Sequence, residues 1–350
     1  MQFRYIEQID EKKYEEANER AGVLLQSTGW AKVKDNWDCK RVGLVDTEDN
    51  LVAWAQILIK RLPLGYTIYY IPRGPIANHE QSTEVIATLL DRIKESSKKD
   101  HCIFIKFDPY ILDNEFDIKD GRPEKHNEVD VNILIHGLGA VHHGYTMRIE
   151  DTVQPRTTMG VYLTEDYPTR YSRNMKRKMK KAVKANMTVE FYTKEGIKEN
   201  PKILDDFCEV LHKTEEAKGI HLRGRDYFER MMENLPNAFI ALSKAEDGNY
   251  ASGIICIPYG KKLEMLYMGN DRKYLNQGSS AFLYDEVFKH VKTMGCEYCD
   301  TSGVEGTLDD GLTASKRSYG AIVKEYIGEF DIPMKKWLYK IIMYIQNKRG

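Results

Sequence analysis

Residues 253–269 read GIICIPYGKKLEMLYMG. The apolar run is a strand over 251–259; after a turn, a second strand over 262–268 closes at Gly269. A helix over 279–294 and a strand over 296–302 follow, and the last strand runs into polar residues around Asp300. The first half of the chain uses the same order. Strands over 51–61 and 66–71 lead to Gly74, then to a helix over 84–97 with apolar Val85, Leu89, Leu90 and Ile93, then to a strand over 101–107 ending at Asp108. A β-β-α-β order used twice predicts two similar α/β domains side by side, with a cleft between them as the default binding site.

Working outward, a helix over 12–20 and a short helix over 27–35 open the chain. The short helix sets Lys32 and Lys34 around Val33, next to Trp30 and Trp37. A strand over 41–46 precedes the first repeat. After it come a polar insertion over 112–130, a helix over 131–138, a turn, a strand over 145–148 and an extended stretch over 153–163. The second half begins with a strand over 188–192, helices over 202–218 and 226–234 around the loop HLRGR (221–225), and a strand over 238–244.

Between the halves lies RNMKRKMKKAVKAN (173–186), with seven Lys/Arg and no acid in a chain whose net charge is only −1. The positive charge is gathered rather than spread. Met175, Met179, Ala182 and Val183 fall at helical spacing, so the stretch reads as an amphipathic helix with one dense cationic face. Such a face fits a polyanion, or simply water.

At 350 residues the chain holds two ordinary domains, and 42% hydrophobic with 30% charged residues is a normal soluble composition. No apolar run reaches the roughly 20 residues that span a bilayer, and the N-terminus lacks a secretory apolar core, so a cytoplasmic protein is expected. Six cysteines are scattered; Cys296 and Cys299 form a single CxxC that follows a helix and enters a strand. That placement suits neither a four-ligand zinc site nor a helix-start redox pair, so buried reduced thiols and no metal are expected. Asp309-Asp310 reads as a solvated turn.

The duplicated order resembles the acyl-CoA N-acetyltransferase (GNAT) fold. In that fold a glycine loop at a helix N-terminus holds the pyrophosphate on backbone N–H groups. The corresponding stretch here, Leu275-Asn276-Gln277-Gly278-Ser279-Ser280, keeps only Gly278, and the first half has no glycine over 76–82. Duplicated domains of this kind without the loop resemble the Fem family of cell-wall peptidyltransferases. The residues that carry the resemblance are GWAKVKDNW (29–37), YYIPRGP (69–75), KFDPY (106–110), VQPR (153–156), GIHLR (219–223), DYF (226–228), LYMG (266–269) and EYIGE (325–329). They cover nearly the whole chain in the family's order. The basic helix runs straight on to Thr188, so the resemblance is to compact members without the helical hairpin arm.

The resemblance implies a monomeric enzyme of two tandem acetyltransferase-like domains with mixed central sheets. Residues 1–155 with 326–350 would form the first domain and 156–325 the second. It implies transfer of Ala, Ser or Gly from aminoacyl-tRNA to the side-chain amine of the third stem-peptide residue. The acceptor would be UDP-MurNAc-pentapeptide or its lipid-linked form, with no cofactor and no stable membrane insertion. An aminoacyl ester is already activated, so the enzyme must position an amine, relieve it of a proton and stabilise an oxyanion. By the same resemblance, Lys34 and Arg223 hold the nucleotide diphosphate, and Tyr227 and Tyr267 line the precursor. Asp108 is a base or an orienter of the amine, and Lys316 lies near the acceptor end of the tRNA. Ser315 stands where compact relatives carry Phe. Lys176, Arg177, Lys180 and Lys181 are offered to the tRNA. The other readings are an acyl-CoA N-acetyltransferase and a non-catalytic RNA-binding protein.

Overall fold

The computed structural model describes residues 3–78 and 83–347, so part of the 76–82 loop lies outside the described residues. The chain forms two compact units. The first contains residues 1–157, 305–307 and 324–350, and the second 158–304 and 308–323.

In the first unit the strand order is Arg4–Ile6, Asp38–Val45, Leu51–Arg61, Thr67–Ile71, Cys102–Phe107, Phe330–Pro333, Val141–His142. Every pairing on this path is antiparallel except that of Thr67–Ile71 with Cys102–Phe107. The helices Thr83–Ser97 and Glu128–Leu138 cover the sheet. Leu89, Leu90, Ile93 and Leu134 meet Ile57, Ile71, Ile105, Phe107 and Phe330 in one apolar core. The apolar positions of 84–97 thus fall on the buried face, as their spacing requires.

The second unit repeats the mixed pattern in the order Thr188–Thr193, Phe239–Lys244, Tyr250–Tyr259, Lys262–Asn270, Tyr298–Gly303, Thr157–Tyr162. Its one parallel pair on this path differs from that of the first unit. In the first unit pairing runs from Thr67 opposite Cys102 to Ile71 opposite Phe107, the full length of the strand. In the second unit it covers only Lys262–Glu264 against Tyr298–Asp300. Beyond that the pairing stops, and the carbonyls of Ser302 and Gly303 serve a side chain instead of that strand. Helix Lys202–Lys218 packs on this sheet so closely that a Cβ on Gly269 would stand 2.6 Å from the Val210 carbonyl oxygen. Only glycine fits there, and the strand runs one residue past it, to Asn270.

Residues 145–148 form no strand: Tyr145 stacks on His126 at 3.6 Å between centroids, and the Met147 carbonyl accepts from Gly306 N. The 112–130 insertion contains a strand, Leu112–Phe116, and Asn127 caps the helix that follows. Among the described residues the longest helix is Lys202–Lys218, with 17 residues, and there is no helical hairpin arm. None of the described helices is long and apolar enough to cross a membrane.

Candidate active site

The segment after strand Tyr298–Gly303 carries the most unusual side chain in the second unit. It holds a helix, Gly311–Ser318. Asp310 starts that helix by accepting from Leu312 N at 2.7 Å and Thr313 N at 3.1 Å, an N-cap rather than a solvated turn. Lys316 on this helix is 2% exposed, and its Nζ donates to the carbonyls of Ser302 (2.7 Å) and Gly303 (2.9 Å). Those carbonyls are available because the strand kinks. Ser302 has φ 72°, and the register with Thr157–Tyr162 slips between Asp300 and Gly303. Asp300 secures the kink by accepting from Ser302 N at 2.7 Å. Burial lowers the Lys316 pKa to about 8, against the opposing pull of the Asp300 and Asp310 carboxylates. An ammonium has three donors. Two are fixed on carbonyls, and the third has no acceptor among the described residues.

A second group gathers on helix Arg225–Asn234 and strand Lys262–Asn270. Tyr227 is buried and meets Tyr267 edge to face at 6.1 Å, with Phe228 packed on Tyr267 at 5.1 Å. The exposed Arg223 guanidinium sits 5.3 Å from the Tyr227 ring, ahead of the helix. Burial raises the Tyr227 hydroxyl well above its ordinary pKa, so it stays a neutral donor. Arg223, Tyr227 and Tyr267 thus follow one another: an exposed cation over the Tyr227 ring, which in turn meets Tyr267.

Lys34 and Asp108 belong to the first unit. Lys34 ends the helix Thr28–Val33, half-buried, with its Nζ 5.0 Å from the Trp30 ring. Lys32, its neighbour in sequence, is exposed and pairs with Glu11 at 3.5 Å. Asp108 leaves strand Cys102–Phe107 and is 3% exposed. Its Oδ1 accepts from Arg73 N at 3.0 Å, and its buried Oδ2, 3.8 Å from Arg73 Nη1, has no hydrogen-bond donor. Arg73 is held between Tyr110 (5.6 Å) and Tyr326 (4.7 Å) and donates Nη2 to the Pro155 carbonyl at 2.7 Å. The YYIPRGP stretch marks this arginine as part of the resemblance, but nothing in it links Arg73 to Asp108. Burial raises the Asp108 pKa to about 7, with Arg73 opposing. A carboxyl whose folded pKa lies above its unfolded value contributes stability below the unfolded pKa and loses it as pH rises through the folded one. Asp108→Asn therefore stabilises the chain at pH 8 and not at pH 4, by at most about 4 kcal/mol at 1.36 kcal/mol per pKa unit. Urea melts at the two pH values measure this.

The basic stretch forms helix Arg173–Lys184, capped by Ser172, with Met175 and Ala182 buried. Val183 is not part of that buried stripe; it is 61% exposed. Lys176, Arg177, Lys180 and Lys181 are exposed, and none of them forms an ion pair among the described residues. This helix also covers the Leu275–Ser280 loop. Lys181 Nζ donates to the Asn276 carbonyl at 3.3 Å, and the Lys178 carbonyl oxygen lies 2.2 Å from where a Cβ on Gly278 would stand. A carbonyl oxygen pressed on that loop disfavours a pyrophosphate there.

Cys102, Cys256, Cys296 and Cys299 are buried free thiols, while Cys39 and Cys208 are half-buried and free. Burial raises the pKa of all six. No group of three His, Cys, Asp or Glu able to hold a metal occurs among the described residues.

The FemAB family model matches residues 7–246 and 237–347. The lipid II:glycine glycyltransferase of Staphylococcus saprophyticus is 25% identical over 400 residues, spanning 93% of this chain and 92% of the relative. That alignment is longer than this chain's 350 residues, so the relative has segments without a counterpart here. A crystal structure of FemX superposes with a TM-score of 0.81 at 24% identity, over 98% of this chain and 100% of that one. A tandem GNAT protein from the clavulanic acid biosynthesis pathway superposes at 0.54 with 8% identity, over 95% of this chain and 99% of that one. Both show the fold expected of two acetyltransferase-like domains. With the family model matched along nearly its full length, the chain belongs to the FemAB family and is an aminoacyltransferase.

Proposed function

We propose that this enzyme moves Gly, Ala or Ser from an aminoacyl-tRNA to the side-chain amine of the third residue of a peptidoglycan stem peptide. The observation that carries the reading is Lys316, a buried ammonium with two N–H groups fixed and one left to donate. A donor prepared in this way costs no reorganisation when an ester carbonyl becomes an oxyanion. In the proposed step the acceptor amine attacks the aminoacyl carbonyl, a C–N bond forms and the ester C–O bond breaks. The tRNA leaves through its ribose oxygen, which takes up a proton, while the attacking nitrogen gives one up. Asp108, with its orphan oxygen and raised pKa, is assigned to orient the amine or accept that proton.

Arg223 is assigned to the diphosphate of the acceptor and Lys34 to the same anion. Tyr227 and Tyr267 are assigned to its sugar or peptide. Arg223→Ala is expected to raise KM for UDP-MurNAc-pentapeptide by about 10- to 100-fold with little change in kcat, the mark of a lost charge-assisted phosphate contact. Steady-state kinetics at fixed aminoacyl-tRNA checks it.

The lipid II relatives favour the lipid-linked acceptor, while the compact build is equally suited to the soluble one. The direct test supplies tRNAs charged with labelled Gly, Ala or Ser, one at a time, with each acceptor. Label moving into an acceptor from one charged tRNA is expected. Acetyl transfer from acetyl-CoA, with no label moved, would replace this reading with the acyl-CoA one.

A further inference from the structure

We propose that the C-terminal helix Lys336–Asn347, together with the hairpin tip at Leu64, docks the enzyme on an anionic lipid bilayer. On this helix Trp337, Ile341, Tyr344 and Ile345 are 72%, 38%, 61% and 44% exposed. Their i, i+4, i+7, i+8 spacing puts all four on one stripe. The opposite side is anchored to the first unit. Tyr339 packs edge-on to Phe104 at 5.4 Å and donates to Asp331 Oδ2 at 2.9 Å. The apolar stripe is therefore presented outward by a fixed helix.

A second feature lies beside it. Leu64, at the turn between strands Leu51–Arg61 and Thr67–Ile71, is 93% exposed in a left-handed conformation (φ 61°). Two residues on, the Tyr66 ring lies 5.7 Å from Nζ of Lys335, the residue just before the helix. Tyr66 thus ties the turn that carries the exposed leucine to the start of the helix that carries the apolar stripe.

Charge selects the occupant. Residues 332–350 contain Lys335, Lys336, Lys340, Lys348 and Arg349 and no acid. Lys336 and Lys340 are exposed along the border of the stripe. Trp and Tyr on an apolar face rimmed by lysines match the boundary between headgroups and acyl chains of an acidic leaflet. A helix of 12 residues is too short to span that bilayer, so it would lie in the surface. The consequence for catalysis rests on the proposed transferase reading: docking concentrates the enzyme on a lipid-linked acceptor.

The test sediments the full chain with vesicles of equal parts phosphatidylglycerol and phosphatidylcholine, and with phosphatidylcholine alone. Binding to the anionic vesicles is expected, at least about tenfold stronger than to neutral ones and weakened by salt. The double variant Ile341→Ser, Ile345→Ser and the single variant Leu64→Ser are each expected to lower it about tenfold. Leu64 is almost fully exposed, so Leu64→Ser should leave thermal melting unchanged, while the partly covered Ile341 and Ile345 should cost the double variant only a few degrees, so that it stays folded in the assay. Trp337 fluorescence should shift to the blue on binding, a shift absent in Trp337→Phe. The same variants should slow transfer to lipid-linked precursor in vesicles and leave transfer to the soluble precursor unchanged. Transfer by a wild-type chain that ignores vesicles would overturn the docking and spare the transferase reading. Vesicle binding lost in the variants, with no transfer to any acceptor, would spare the docking and overturn the transferase. A dimer that these variants dissociate, without vesicle binding, would overturn the docking in favour of self-association.

Discussion

Lys316→Met lowers the single-turnover transfer rate by about 10²- to 10³-fold while the protein stays folded. The size follows from the loss of one prepared donor to an oxyanion, on the order of 3–4 kcal/mol of transition-state stabilisation. Unchanged folding follows from two opposed terms. Burial has lowered the Lys316 pKa from 10.5 to about 8, so at neutral pH the fold bears a desolvated ammonium. At 1.36 kcal/mol per pKa unit, methionine relieves about 3 kcal/mol. Against this, the Ser302 and Gly303 carbonyls lose their donor, at roughly 1–3 kcal/mol each. The melting temperature should then move by only a few degrees. Lys316→Arg should not rescue the rate, because a planar fork cannot hold two carbonyls and aim a third N–H as the tetrahedral ammonium does. A variant that keeps its rate would remove Lys316 from the chemistry.

Reversing the charge of Lys176, Arg177, Lys180 and Lys181 to glutamate lowers tRNA affinity by about 10²- to 10³-fold, whether or not the tRNA is charged. Each such cation that neutralises a backbone phosphate releases counterions, so the effect is electrostatic and blind to sequence. Replacing the four with alanine should flatten the plot of log affinity against log salt by about three to four units, at roughly 0.9 per duplex phosphate. The buried side of the helix, Met175 and Ala182, is left intact, so the second unit should keep its fold. Filter binding across a salt series reads both numbers. Equal affinity and an equal slope in the variant would leave these cations as a solvated face.

Much of this architecture was legible in the residues because it rests on local patterning. Leu51–Arg61 and Lys202–Lys218 could be bounded to the residue: the strand is an apolar run broken only by Gln56 until Lys60 and Arg61 close it, and the helix keeps its apolar period up to Gly219. The misreadings have non-local causes. Val183 shares helical spacing with Met175, but the sheet and the Leu275–Ser280 loop decide which side of the helix is covered. Residues 145–148 alternate like a strand, yet the Tyr145 ring is spent on His126 rather than on a ladder.

The site divides in the same way. Asp310 as an N-cap was open to reading, since it directly precedes a helical stretch and its carboxylate reaches two N–H groups. The residues that prepare Lys316 were not. Its acceptors are main-chain carbonyls, exposed by a kink at Ser302 and a register slip against a strand some 140 residues earlier in the chain, and backbone geometry of that kind leaves no side-chain signature. Likewise the KFDPY stretch marks Asp108. The unpaired Oδ2 and the buried Arg73 beside it arise only when the two stretches meet.

The central claim is that Lys316 works as an ammonium. The most direct measurement is the ratio of single-turnover rates, wild type over Lys316→Met, followed from pH 6 to pH 10 with both substrates saturating. Ionisation of the acceptor amine and of Asp108 affects both proteins and cancels in the ratio. A ratio that is constant below pH 8 and falls about tenfold per unit above it is the result predicted, since the lysine loses its proton with a pKa of about 8. A ratio that rises through pH 8 would show that the free amine is the working form, and would contradict the account.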